Sequence, residues 1–536
     1  MRTLISRLAV SLAVTAVAIG GASCTDLSEH PYTEVTEANF NPTAADLASL
    51  VGPAYIPLRA VYMGWYGMVD FEGEASDELI TPPRPNGWYD GGVYVRMHEH
   101  RWDANQGQPN GLWGNAFSGI NASNRVIYQI ESGVVPTDAA TKASVIAELR
   151  AVRAYYYWLL LDNFGNVPIV TDFTSTQLPQ QSTRQQVYDF IVKELTEAMP
   201  QLSTTVGTAT YGRMTQFGAK ALLARTYLNA GVYTGTPAWD RVLTVTQDLI
   251  GANKYTLDAT FRTTFSRTNN TSTEIMFAVP YDAINATQSS FHMKTMKPDL
   301  RYVYNMQTQP WGGSAATPQF VDTFDKDDAR YRETFLTGAV KDAQGRGYDF
   351  VQFIAPIAST SQFNQGYPIQ KYELYQGETG ASDVDYPALR YAEVLMMRAE
   401  ALLRTGQADA AAALVTQVRR RNFTATAAKA TVTGADLQKG SLYNYGWYDS
   451  DGVVKTRAAG TATTNGGADI QFGRLFDELG YEFAYEAHRR TDMIRFGVFT
   501  AKTWFNHTPN GAFRNLYAIP QSAIQTNPNI KQNTGF

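Results

Sequence analysis

A single cysteine, Cys24, stands among 536 residues, so no disulfide can form within the chain. Positive charge is not in excess either. With a net charge of -5 and a pI near 5.8, the chain has no general basic field to attract nucleic acid, and no nucleic-acid partner is expected. The apolar run Leu8–Ile19 is too short to span a bilayer as a helix. Glycine patterns for cradling phosphate, binding dinucleotides or presenting a nucleophile at an elbow are missing, as is His-Glu-x-x-His. His98 and His100 flank Glu99, but a solvated loop is expected there and not a metal site. Asp325, Asp327 and Asp328 lack the glycine and terminal glutamate of a calcium-binding hand. Neither cofactor nor metal is expected.

What is present begins at the N-terminus. Arg2 and Arg7, the run Leu8–Ile19 and the small residues Gly20 to Ser23 have the layout of a bacterial secretory signal, residues 1–23. Gly21-Ala22-Ser23-Cys24 resembles a lipobox, with Gly21 where leucine is usual. Cys24 would then be the lipidated first residue of the mature chain and residues 24–40 its tether. Acyl chains contributing about 0.8 kcal/mol per buried methylene would hold it on a membrane. The alternative is an exported protein with a free thiol. Aromatics are abundant, with 31 Tyr, 26 Phe and 9 Trp, which suits a surface that binds flat faces, the alternative being a tyrosine-rich core.

Helical periodicity organises the rest. In Glu148–Pro168, Leu149, Val152, Tyr156, Leu159 and Leu160 share one face, while Tyr155, Tyr157 and Trp158 widen the apolar surface nearly all round, which predicts a helix lying between neighbours. Pro53 and Pro57 interrupt a first helix over 44–62. Further helices are predicted over 112–130, 139–163, 183–199 (with Ser182 and Gln185 as a capping box), 217–230, 239–250, 389–405 and 408–421. The expected fold is therefore mostly α: about four helical hairpins of tetratricopeptide type form a scaffold. A loop-rich irregular region with short strands, Glu274–Val279 among them, packs against it. The division expected is 41–252 for the N-terminal helical part and 253–536 for the C-terminal part. Trp311, Gly312 and Gly313, then Pro318 to Asp328, read as an exposed turn and a short element. Glu482, Glu486, Arg489, Asp492 and Arg495 sit three or four apart, close enough for structural ion pairs along one face.

Four stretches carry a family resemblance. They are the pattern R-A-x-x-Y-x-x-L-x-x-x-F-G-x-V-P-x-V from Arg153 to Val170, and Trp113, Phe117, Ile120 and Asn124 at their spacing. The third is Phe476–Gly497, with departures at Ala487, Arg490 and Thr491, and the fourth is the terminal YAIPQSAIQTNPNIKQNTGF, Tyr517 to Phe536. Together they resemble the SusD/RagB family of outer-membrane lipoproteins of Bacteroidota across nearly the whole mature chain. The resemblance implies a non-catalytic, surface-exposed lipoprotein that binds oligo- or polysaccharide and passes it to a SusC-like TonB-dependent transporter. Peptide binding, as in the RagB branch, is the alternative, and a glycoside hydrolase a third. With 50 carboxylates in the chain, no particular pair stands out as catalytic.

For the ligand site, Trp88 and Tyr89 lie in a Gly/Pro-rich loop with Arg84, Asn86 and Asp90, and Trp311 lies in a second loop. A sugar ring offers an apolar face and a rim of hydroxyls, so flat aromatics beside fixed polar groups are the chemistry it needs.

Overall fold

Proline punctuates the start of the fold. Pro53 and Pro57 split the first helical stretch into α1 (Leu47–Val51), a 3-10 turn and α2 (Pro57–Met63). This computed structural model describes residues 43, 46–446 and 466–536; the signal expected over 1–23, Cys24 and the tether expected over 24–40 lie outside the described residues. Short helices α3 (Met68–Ala75) and α4 (Val93–His98) flank the turn-rich stretch. The long helix α5 (Gly107–Glu131) begins five residues before 112, because Pro109 falls in its first turn, where amides need no helical partner.

The helix α6 (Ala139–Phe164) is the centre of the fold. Asp138 caps it by accepting from the Ala140 and Thr141 amides at 3.0 Å each, and Gly165, at φ 73°, ends it. Every residue from 151 to 164 is buried, as an apolar girdle between neighbouring helices requires. The helix α7 (Arg184–Ala198) carries a capping box, but Thr183 and Gln186 form it, one residue on from the expected Ser182 and Gln185. Next come α8 (Gln216–Leu228) and α9 (Trp239–Gly251). Consecutive helices pack as neighbours, α5 on α6, α6 on α7 and α8 on α9. Where α5 crosses α6, Gly119 makes the approach possible: a Cβ there would lie 2.1 Å from the Tyr156 ring, whose hydroxyl donates to the Ala54 carbonyl at 2.8 Å. Gly119→Ala is expected to cost about 1–3 kcal/mol by overpacking, read as a lower denaturant midpoint at unchanged slope.

Three two-stranded antiparallel pairs serve the irregular region: β1 (Leu79–Ile80) with β3 (Ala315–Ala316), β2 (Ile275–Val279) with β6 (Tyr386–Arg390), and β4 (Gly338–Lys341) with β5 (Gly347–Phe350). Among the short helices between β2 and β6 are α10 (Phe291–Thr295) and α11 (Pro318–Asp322). Gly312, Gly313 and most of α11 are buried, not an exposed turn, because pairing of β3 with β1 draws the segment inward. Leu389 and Arg390 pair with β2, so the helix expected from 389 starts at α12 (Tyr391–Arg404), followed by α13 (Ala408–Arg419).

The acidic-basic stretch behaves differently from expectation. Tyr485 and Ala487 adopt φ of 57° and 55°, which breaks it into α14 (Gly473–Phe483) and α15 (Arg489–Arg495). With the face broken, Asp492–Arg495 is the one pair of those five residues formed within the stretch; the others reach across the fold. Arg489 pairs with Asp77 at 2.7 Å, Glu482 with Arg390 and Arg421, Glu486 with Lys371 and Arg390, and Arg495 also with Glu400. His98 and His100 also depart from the solvated loop expected: both are buried at the end of α4, with His100 4.2 Å from His507 and against Phe499 and Trp504. Burial lowers their pKa to about 4 and about 3, so both rings are neutral, each bonded to a main-chain carbonyl.

The terminal motif closes the fold through side-chain amides. Gln532 serves both the N–H and the C=O of Ile519 at 2.8 Å, and Asn533 donates to the Phe164 and Tyr517 carbonyls at 2.9 and 3.0 Å. Its short helix α16 (Gln521–Thr526) leads to Asn527, which donates to Pro179. Among the described residues, no helix is long and apolar enough to cross a membrane.

Candidate functional site

The loop after β1 is built from prolines and left-handed residues. Arg84 and Gly87 exchange both main-chain hydrogen bonds at 2.9 Å, and beyond them Gly87, Trp88, Asp90, Gly91 and Gly92 all have positive φ. For Gly87, Gly91 and Gly92 this is easy, but Trp88 at 61° and Asp90 at 46° carry strain that surrounding contacts must overcome. Those contacts come from the second candidate loop. The Trp88 indole N–H donates to the Trp311 carbonyl at 3.0 Å and the Asn86 amide to the same oxygen at 3.3 Å. Gly313 is indispensable here, because a Cβ on it would lie 2.6 Å from the Trp88 ring. Arg84, buried, donates to the carbonyls of Gly313, Gln362 and Gln365, so its guanidinium fastens the loops and is turned away from solvent.

The two loops thus converge on a cluster of indoles. Trp65 joins them from the turn after α2, stacked on Trp88 at 6.0 Å and 23° and edge-on to Trp311 at 4.9 Å and 67°. Gly64 and Gly67 bracket that turn, since a Cβ at either would lie within 3.0 Å of main-chain carbonyl oxygen. Trp65 is 43% and Tyr89 58% exposed, whereas Trp88 is only 8% exposed and backs the others. Trp311 is half-buried, and Asn86 and Asp90 are exposed at the rim. The result is an inclined aromatic surface with an amide and a carboxylate beside it, able to stack against apolar faces and orient hydroxyls.

Beneath it lies a buried ion cluster. Lys294 pairs with Asp70 and, at 2.8 Å, with Glu74, and its ammonium lies 4.0 Å from the centre of the Tyr94 ring and 5.9 Å from that of Trp88. Desolvation, reinforced by the nearby Asp70, pushes Glu74 up to about 8. Among the described residues, no group of three or more His, Cys, Asp or Glu side chains is disposed to hold a metal.

Of the residues singled out in the sequence, Trp88, Asn86 and Trp311 come together, with Arg84 below them, while Tyr89 and Asp90 are exposed on the same loop, the Tyr89 ring lying beside Gly92. Trp65 was passed over, although its setting between Gly64 and Gly67 is the signal of an aromatic presented on a tight turn.

Residues 266–536, just over half of the chain, match the model of the SusD family. The chain belongs to the SusD family. Residues 76–228 also match a model described as starch-binding, associating with outer membrane. The starch-binding protein SusD of Bacteroides thetaiotaomicron is 26% identical over 461 residues, 75% of each chain. Among solved structures, a SusD superfamily protein from Parabacteroides distasonis superposes with a TM-score of 0.69 at 20% identity, covering 94% of this chain and 100% of its own. Surface glycan-binding protein A from B. thetaiotaomicron, solved with laminarihexaose, gives 0.67 at 18% identity, covering 92% and 99%. The mostly helical SusD fold accounts for the stacked helices, with the irregular region and its aromatic cluster mounted on them.

Proposed function

We propose that this SusD-family chain captures oligosaccharide on the surface made by Trp65, Tyr89 and Trp311 and passes it, chemically unaltered, to a SusC-like TonB-dependent transporter in the outer membrane. One observation carries the reading. Two strained or turn-rich loops whose indoles are 223 residues apart are locked together, and what they present to solvent is aromatic. The starch named for one relative and the laminarihexaose bound to a structural neighbour support a glucan as ligand. Isothermal titration with malto- and laminari-oligosaccharides and with peptides tests this. Saturable glycan binding, with the glycan recovered intact after long incubation, is expected. Binding of peptides alone would favour the RagB-like reading, and shortened glycan would make the chain a hydrolase.

The anchor belongs to the same proposal. Cys24→Ala is expected to leave the fold unchanged and to move the protein from the membrane fraction to the soluble one, because the acyl chains are its hold on the bilayer. Wild-type retention of that variant would remove the lipoprotein reading. Mild-detergent solubilisation with the anchor intact should co-purify a large β-barrel.

A further inference from the structure

We infer that Lys294, clasped by Asp70 and Glu74, is the positioning residue of the aromatic surface and makes its geometry depend on pH. This rests on the proposed glycan site for its function, though not for its structure. Lys294 holds both loops at once. Its ammonium faces Tyr94 and Trp88; its own carbonyl accepts the Ser314 N–H at 3.0 Å, and that of Met293 accepts the Trp311 N–H at 2.8 Å. Hydroxyls complete the clasp: Thr81 donates to Glu74 and lies 2.7 Å from the Ser314 hydroxyl, which donates to Asp70 at 3.4 Å.

Charge is not balanced in this pocket. Two buried carboxylates face one ammonium, so a proton must stay or an uncompensated negative charge is buried. Glu74 Oε2, buried with no hydrogen-bond partner, is where a proton fits. The titratable groups around it are Asp70 from α3, Lys294 from α10, Tyr94 and His98 from α4, and Tyr517 from the terminal segment, which burial raises far above the neutral range. Burial puts Tyr94 far above and His98, at about 4, far below the neutral range. Asp70 is raised as well, by its own burial and against the pull of Lys294. Because the folded value for Glu74 lies above its ordinary one, its contribution to stability is complete at low pH and is lost as pH rises through about 8. Ionisation then draws Lys294 away from the Trp88 side and loosens the support of both loops.

Fluorine NMR of 5-fluorotryptophan-labelled, ligand-free protein tests the coupling, with Trp88 and Trp311 signals assigned from Trp88→Phe and Trp311→Phe. Both signals should move with a common midpoint near pH 8 in the wild type and stay flat in Glu74→Gln, which keeps the side chain's shape. Lys294→Met should displace both signals at every pH, and Lys294→Arg should restore them. Glycan affinity should fall about tenfold between about pH 7 and pH 9 in the wild type and hold steady in Glu74→Gln. Flat signals in the wild type, or the same titration in Glu74→Gln, would overturn the inference. Titrating signals in a protein that binds no glycan at any pH would uphold the positioning role and overturn the ligand class alone.

Discussion

Replacing Trp65, Tyr89 and Trp311 together by alanine is expected to weaken oligosaccharide binding by at least about 100-fold while leaving circular dichroism unchanged. Each aromatic that stacks on a bound ligand is worth about 1–3 kcal/mol on truncation, and such losses overlap, so about 3 kcal/mol or more for the three is a moderate expectation. Trp65 and Tyr89 are about half exposed, so their share of the stability change should stay within about 0.5 kcal/mol each, and most of any loss should come from the half-buried Trp311, which packs on Met293 and its neighbours. Trp88→Ala should behave in the opposite way. That ring lies against Gly313 and donates to Trp311, so its removal should cost about 3–5 kcal/mol of stability and weaken binding only through disorder of the loops. Isothermal titration beside denaturant melts separates the two outcomes. Unchanged affinity in the triple variant would place the ligand elsewhere.

Arg390→Met is expected to be strongly destabilising, by about 3–5 kcal/mol. Its guanidinium sits between Glu274, Glu482 and Glu486 at 2.7 to 2.8 Å, all buried. The network extends through Arg421, Arg330, Arg419 and Lys371 to Glu478 and Asp328. Among the described residues its five cations, Arg330, Lys371, Arg390, Arg419 and Arg421, balance five carboxylates, Glu274, Asp328, Glu478, Glu482 and Glu486, so loss of Arg390 leaves the buried network with one net negative charge in excess. Burial opposes ionisation of Glu482, yet Arg421, Arg390 and Arg330 hold its carboxyl far below the usual range. Its contribution is therefore present above its ordinary pKa and lost as pH falls through the folded value. Lys429→Met is the control: Lys429 pairs with Asp325 and Asp327 in solvent and should change stability by less than about 1 kcal/mol. A denaturant midpoint for Arg390→Met equal to that of Lys429→Met would show that the network contributes little.

Helices were legible because their spacing is local. The core helix, expected over 139–163, ends one residue on at Phe164, where Gly165 at φ 73° stops it. The capping box was misplaced by one residue because Ser182-Thr183 and Gln185-Gln186 offer the same spacing twice, and only main-chain direction decides between them. Leu389 and Arg390 were lost to β6 because the partner that makes them a strand lies more than a hundred residues away. The ion pairs were expected along one face because nothing in the letters Tyr485 and Ala487 announces a left-handed turn. At the candidate site the loops themselves were legible from glycine and proline. Their meeting was not, since it depends on the Trp88 indole, the Asn86 amide and the Arg84 guanidinium each finding carbonyls more than two hundred residues away. His98 and His100 were misjudged for the same reason, their cover coming from Phe499, Trp504 and His507.

The amide clamp at the end of the chain bears on the order in which the protein can be finished during synthesis. The carbonyls of Asn163 and Phe164, where the central helix ends, are met by the Tyr517 N–H and the Asn533 side chain. Trp102 likewise donates to Leu516, 414 residues away. A ribosome that has made only the helical array has therefore made a core whose main exit is still open, and the native arrangement waits for residues beyond 516. Residues beyond 516 therefore complete contacts that the earlier chain cannot supply for itself. If residues 1–23 act as the expected secretory signal, that late closure would suit passage through a membrane before folding.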